Sequence, residues 1–182
     1  MTSEFVHLHN HSDYSLLDGA QKIDQLVNTI DDLNMDAVAL TEHGNMFSVL
    51  PYYKQAKKAG IKPIIGCEIY VAVGSRFEKK TRSDGGWGNN HLILLAQNFT
   101  GYKNLMKLVT AGYLEGFYYR PRIDMDLLRE YSEGLICMSA CLKGVVPEKM
   151  LKGDYEGARK EALLFSEIFQ DRYYLEIQNH GI

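Results

Sequence analysis

Ala37-Val38-Ala39-Leu40 contains no polar residue, and this short run constrains the fold more than any other stretch. A strand built from it has no face to give to water, so both faces must be covered, as in a parallel sheet packed between helices. The surroundings agree. Ile23, Leu26, Val27, Ile30 and Leu33 recur at helical spacing and predict a helix over roughly 21–34. A second helix, about 46–59, carries Phe47, Leu50 and Tyr53 on one side and stops at Gly60. A buried strand then runs from Lys62 to Gly66 and on through Cys67-Glu68 to Val71. Helices at about 101–114, 124–131, 145–151 and 154–169, with strands Leu135–Ser139 and Tyr173–Gln178, continue the alternation. Repeated strand–helix units with short connections predict a parallel α/β sheet, closed or open. Only GSRFEKKTRSDGGWGNN, residues 74–90, breaks the rhythm. Its glycines, asparagines and cations predict an exposed, mobile loop. Its flanks, Ile69–Val73 and Leu92–Ala96, are suited to an antiparallel hairpin.

In folds of this kind the chemistry gathers beyond the carboxyl ends of the strands. Candidate ligands fall there with regularity. The stretch Phe5 to Gly19, FVHLHNHSDYSLLDG, reads as an opening strand that places His7, His9 and His11 on one face. Half of the chain's six histidines lie in it, a density better suited to metal binding than to scattered core or surface imidazoles. His43 ends the Ala37–Leu40 strand, Glu68 the next, and Cys141 a later one. His91 begins its strand, and an antiparallel hairpin would turn that end toward the others. The spacing predicts that His9, His11 and Glu68 converge on one metal position. Cys141 is equally readable as a small buried hydrophobe. Glu42 is suited to orienting a ligating histidine.

Composition sets outer bounds. At 182 residues, 46% hydrophobic and 24% charged, the chain is expected to form one globular domain, 1–182. A formal net charge of −3 provides no general basic field for nucleic acid, so any such contact must be local. No apolar run is long enough to span a bilayer, and Met1-Thr2-Ser3-Glu4 lacks a signal pattern. Cys67, Cys137 and Cys141 are odd in number and without zinc-finger spacing. A reducing cytoplasm with free thiols is expected.

The segments HLHNHSDYSLLDG, ALTEHGNMFSVLPYYKQAKKAGIKPIIGCEIYVA, HLILLAQNFTGYKNLMKLV, GFYYRPRID and SACLKG, in that order, carry a resemblance. They are similar to the opening domain of bacterial replicative DNA polymerases of the polymerase III alpha type, in the polymerase and histidinol phosphatase (PHP) family. The resemblance implies a distorted (β/α)7, TIM-like barrel holding up to three divalent ions (zinc, manganese or iron). It places ligands at His9, His11, Asp18, His43, Glu68, His91 and Cys141, with Glu68 bridging two ions and His7 packed behind the site. His11, Asp18, His43 and Glu68 would act in catalysis through the metal. The family's last motif, Asp-x-His after a seventh strand, has no counterpart before Ile182, so the chain is expected to be the N-terminal part of a longer protein.

Three functions remain open at this stage. The first is a metal-dependent phosphoesterase, within a polymerase a 3′–5′ proofreading exonuclease. The second is a structural or subunit-docking module whose metals serve the fold. The third is a free-standing histidinol phosphatase-like enzyme. DNA and other replicase subunits are the implied partners, with no membrane. Arg120 and Arg122 are candidate phosphate contacts, although solvated surface residues are the ordinary reading of such cations.

Overall fold

The computed structural model describes residues 5–80 and 88–179. In chain order the elements are α1 (Ile23–Asp32), β1 (Ala37–Leu40), α2 (Val49–Lys58), β2 (Lys62–Ala72), β3 (Asn89–Ala96), α3 (Phe99–Leu114), β4 (Arg122–Ile123), α4 (Met125–Glu130), β5 (Leu135–Met138), α5 (Val145–Leu151), α6 (Tyr155–Phe169) and β6 (Tyr173–Tyr174). The strands form one sheet in the order β1-β2-β3-β5-β6, with β4 also paired to β2. The sheet is mixed rather than parallel. β2 and β3 form the expected hairpin, Ile69 opposite Leu92, and β3 is also antiparallel to β5. β1, β4 and β6 run parallel to their neighbours.

One sheet face packs under α3 and α6, where Cys67, Leu92, Leu94 and Cys137 meet Leu105, Leu108, Phe165 and Phe169. Ala39, Ile93, Leu95, Met138 and Ala140 cluster separately, and Glu68 is in register with Ile93. α1 and α2 cover β1, burying Ile23, Leu26, Val27 and Ile30 against Val38, Leu40, Tyr52 and Ala56.

Expectations for four stretches of the chain need correction. Residues 5–11 form no regular strand. His7 O accepts from Ala39 N at 2.8 Å and Asn10 O from Thr41 N at 2.9 Å. Three residue steps therefore oppose two, and the extra residue breaks the ladder as a bulge does. His7 is exposed against Phe5, ring centroids 4.8 Å apart, and does not pack behind the site. Glu68 ends no strand, since β2 continues to Ala72. β1 pairs with β2 only as far as Ile65, and β4 takes over at Tyr70. Between them, Glu68 N donates to Glu42 O at 3.0 Å and Gly44 N to Glu68 O at 2.8 Å. Gly66 permits this continuous strand, because a Cβ there would lie 2.6 Å from Leu95 and 2.8 Å from Thr41.

The third correction concerns α2. Its buried face is Tyr52 and Ala56, while Phe47, Leu50 and Tyr53 are 67%, 62% and 48% exposed. Tyr52 tolerates burial because its hydroxyl donates to Val38 O. The fourth concerns the 74–90 loop. Its first part is anchored: Arg76 pairs with Glu115 at 2.6 Å and with Asp124 at 3.0 Å. Residues 81–87 lie outside the described residues.

Candidate metal centre

Glu68 is 1% exposed and is ringed by imidazoles. Its Oε1 lies 2.7 Å from His43 Nδ1 and 2.7 Å from His91 Nδ1. Its Oε2 lies 2.9 Å from His9 Nε2 and 3.6 Å from His11 Nε2. His9 and His11 approach each other at 3.1 Å between Nε2 atoms. The expected convergence of His9, His11 and Glu68 is therefore present. Cys141 Sγ stands 3.7 Å from His91 Nδ1. Asp18 is at the rim, its Oδ2 3.7 Å from His43 Nε2. The seven residues implied by the resemblance are thus linked by contacts into one cluster, and the antiparallel β3 brings His91 to it as anticipated.

Local backbone devices aim these groups. Ala140 has φ 62°, a left-handed conformation costing a non-glycine residue about 1–2 kcal/mol. It turns the chain out of β5 toward Cys141. His91 N donates to Lys143 O at 2.9 Å, holding that turn beside β3. Cys67 and Cys137 are completely buried, whereas Cys141 is only partly so. The small-hydrophobe role thus belongs to the first two. Beneath the site, buried Glu42 accepts from the hydroxyls of Ser12 and Ser15. Ser15 Oγ also accepts from His43 N at 3.0 Å and lies 3.4 Å from His11 Nδ1. Glu42 therefore acts through one serine on the His11 ring and on the main chain of His43.

Glu176 was not singled out in the sequence. Its Oε1 lies 2.7 Å from His9 Nδ1, leaving His9 Nε2 for Glu68 and His11. Ser139 Oγ accepts from Glu176 N at 2.9 Å and sets its position. His9 flanks β1 and Glu176 follows β6, so this contact joins the two ends of the sheet. Its only local signal is a carboxylate within YYLEIQ, in the expected Tyr173–Gln178 strand.

Charge follows from these contacts. Burial alone would raise the pKa of Glu68, but hydrogen bonds from His11, His43, His9 and His91 hold it far below the usual carboxylate range. Burial lowers that of His9, yet Glu176 and Glu68 outweigh it and lift it to about 9. His91 rises likewise to about 9, through Cys141 and Glu68. Burial works against the Cys141 thiolate, but His91 and the Lys143 backbone bring its pKa down.

The donor set fits divalent metal. Ligands about 2 Å from a shared zinc-like ion lie roughly 3–3.5 Å apart, more with a thiolate. His9, His11 and Glu68 form one such group, and Glu68, His91 and Cys141 a second, with donor atoms within 4.8 Å of one another in each. Glu68 belongs to both.

The two arginines separate. Arg120 is exposed, with its guanidinium 5.6 Å from the Tyr70 ring centroid, in the cleft that also contains His43 and Asp18. Arg122 is 1% exposed and donates to Gly116 O, Arg76 O and Glu78 O at 3.0, 3.2 and 2.9 Å. A guanidinium spent on carbonyls is not a phosphate contact, and that expectation is withdrawn.

Comparison with known proteins gives the family. The family model described as the PHP domain matches residues 7–180. The chain belongs to the PHP family. Its PHP sequence is 57% identical over 180 residues to DNA polymerase III subunit alpha of Borreliella burgdorferi, and 45% identical over 181 residues to that of Thermus aquaticus. The chain spans 16% and 15% of those relatives. A solved two-domain protein from Bacteroides vulgatus, described as containing a PHP-like metal-dependent phosphoesterase, is 19% identical with a TM-score of 0.43. That superposition covers 73% of this chain and 33% of the other. Family membership rests on the sequence match. The mixed α/β sheet with flanking helices is consistent with a PHP-type barrel. No helix among the described residues is long and apolar enough to cross a membrane.

Proposed function

We propose that this PHP domain is the N-terminal part of a bacterial replicative DNA polymerase III alpha subunit, and that its centre hydrolyses phosphoesters as a 3′–5′ exonuclease. The observation behind this reading is the division of labour at Glu68, with His43 and His91 on one oxygen and His9 and His11 on the other. His9, His11, Glu68, His91 and Cys141 would hold two divalent ions, and His43 with Asp18 a further one. Zinc, manganese or iron suits mixed imidazole, carboxylate and thiolate donors. Such ions supply an acidified water and stabilise the attacking and leaving oxygens of an in-line displacement. The protein's own contribution is orientation. Glu176 fixes the His9 ring, and Glu42 acts through Ser15 on the His11 ring and the His43 main chain. In the polymerase the partners would be DNA and the other replicase subunits, in the cytoplasm.

A second reading has one observation in its favour. His9 contacts Glu176 across the two ends of the sheet, so metal held at His9 would also serve the fold of a structural or docking module. The deciding measurement is release of 3′ nucleotides by the intact alpha subunit with added manganese or zinc. Loss of release in Asp18→Asn, with the ions at the His9 and His91 groups retained, supports the exonuclease. Metal binding that stabilises the protein without any release supports the structural module.

A further inference from the structure

The cleft that contains His43 and Asp18 extends over aromatic side chains. It measures about 670 Å³, and Phe47, Tyr113, Phe117 and Arg120 also line it. The three rings form a continuous strip. Phe47 and Tyr113 have centroids 6.3 Å apart, and Tyr113 stacks on Phe117 at 6.1 Å and 28°. Phe47 is 67% exposed and Phe117 48%. Leaving a phenyl ring in water forgoes about 1.5–3 kcal/mol of burial. Two such rings in one strip, beside a candidate hydrolytic centre, call for a ligand with flat apolar faces.

The Phe117 end of the strip is held firmly. Phe117 begins a turn in which Tyr118 N donates to Arg120 O at 3.0 Å. Tyr119 adopts φ 57° at its tip. Arg122 anchors the turn from below, donating to Gly116 O at 3.0 Å with its guanidinium 5.2 Å from the Tyr118 centroid. The buried arginine thus supports the exposed one. No carboxylate among the described residues forms an ion pair with Arg120, so its charge is available to an anion.

We infer that Phe47, Tyr113 and Phe117 form a stacking strip for unpaired bases at the 3′ end of a nucleic-acid strand, with Arg120 on an adjoining phosphate. The inference rests on the phosphoesterase reading and adds the feature that selects its substrate. A single strand offers its bases' π-faces to aromatic side chains while its phosphates track cations. Bases in a duplex are already stacked and paired, and must be freed before they can reach the strip. Frayed or mismatched ends are therefore favoured over paired ones, and small phosphate esters gain nothing from the strip.

The test uses the intact polymerase subunit and oligonucleotides with 5-iododeoxyuridine at the last and penultimate 3′ positions. Photocrosslinks mapped by mass spectrometry are expected on Phe47, Tyr113 or Phe117 with single-stranded ends, and at much lower yield with fully paired ends. In release assays Phe47→Ala and Phe117→Ala should each raise KM for a single strand about 10-fold, the effect of losing one base stack. Arg120→Gln should lower the salt-dependence slope by about one. Absence of crosslinks to all three rings, or equal yields from paired and unpaired ends, overturns the inference. Crosslinks on the strip without nucleotide release would sustain the strip and sink the exonuclease reading. Release with crosslinks elsewhere would do the reverse.

Discussion

Glu68 and Arg122 are each 1% exposed and stand on adjacent strands, with Tyr70 of β2 opposite Arg122 of β4. Both are buried charges, yet their surroundings differ in kind. Arg122 donates to three main-chain carbonyls, neutral partners that neither titrate nor leave. Glu68 is surrounded by four imidazoles, each of which can exchange a proton for a metal. A buried charge with fixed neutral partners is a structural joint. One ringed by exchangeable ligands is a binding centre.

Substitution can break this contrast. Glu68→Gln keeps the shape but removes the charge shared by both ligand groups, and should cut bound metal per chain by 10-fold or more, measured by elemental analysis after dialysis. Retention of full metal would show that Glu68 is no bridge. Arg122→Met should leave metal content per folded chain unchanged and lower unfolding stability in urea by about 3 kcal/mol, since buried carbonyls lose their donors. Metal loss at unchanged stability would reverse the two roles.

A smaller effect is expected at Glu176. Glu176→Ala should weaken metal affinity at the His9 group 10- to 100-fold, the usual cost of losing a carboxylate behind a ligating histidine. Competition with a chromogenic chelator measures it. Glu176→Gln should recover part of the loss, because it can still accept from His9 Nδ1–H.

The smallest effect involves acid. Burial opposes the Asp124 carboxylate, but hydrogen bonds from Arg76 and Leu127 and the Arg76 charge lower its pKa below 3.8. Its stabilisation is complete above that value and is lost as pH falls through the lowered one. The stability gap between the protein and Asp124→Asn should therefore narrow in acid denaturation below about pH 4. A gap that widens there would contradict the sign.

How much of this was legible follows from where each contact lies along the chain. The β1 run and the β2–β3 hairpin were legible because local apolar pattern decides them. His9, His11, Asp18, His43, Glu68, His91 and Cys141, named by chemistry and by family resemblance together, are joined in one cluster by contacts of 3.7 Å or less. Arg122 was misread because its acceptors come from residues 76, 78 and 116, which no local pattern links to it. Glu176 was missed because its partner is 167 positions away. The exposed face of α2 was misjudged because the residue actually buried, Tyr52, has a polar end satisfied only by Val38 O. The opening strand failed on one extra residue between His7 and Asn10, a bulge invisible to alternation.

The contact between His9 and Glu176 has a thermodynamic consequence. A ligand that binds the folded chain alone stabilises it by about 2.7 kcal/mol at a hundred times its dissociation constant. Metal at His9 would apply that free energy across the gap between the two outermost strands. The sheet then behaves as a hoop whose latch is tightened by ion concentration, and the amides of residues 175–178, near the latch, should exchange with solvent more slowly as metal is titrated in.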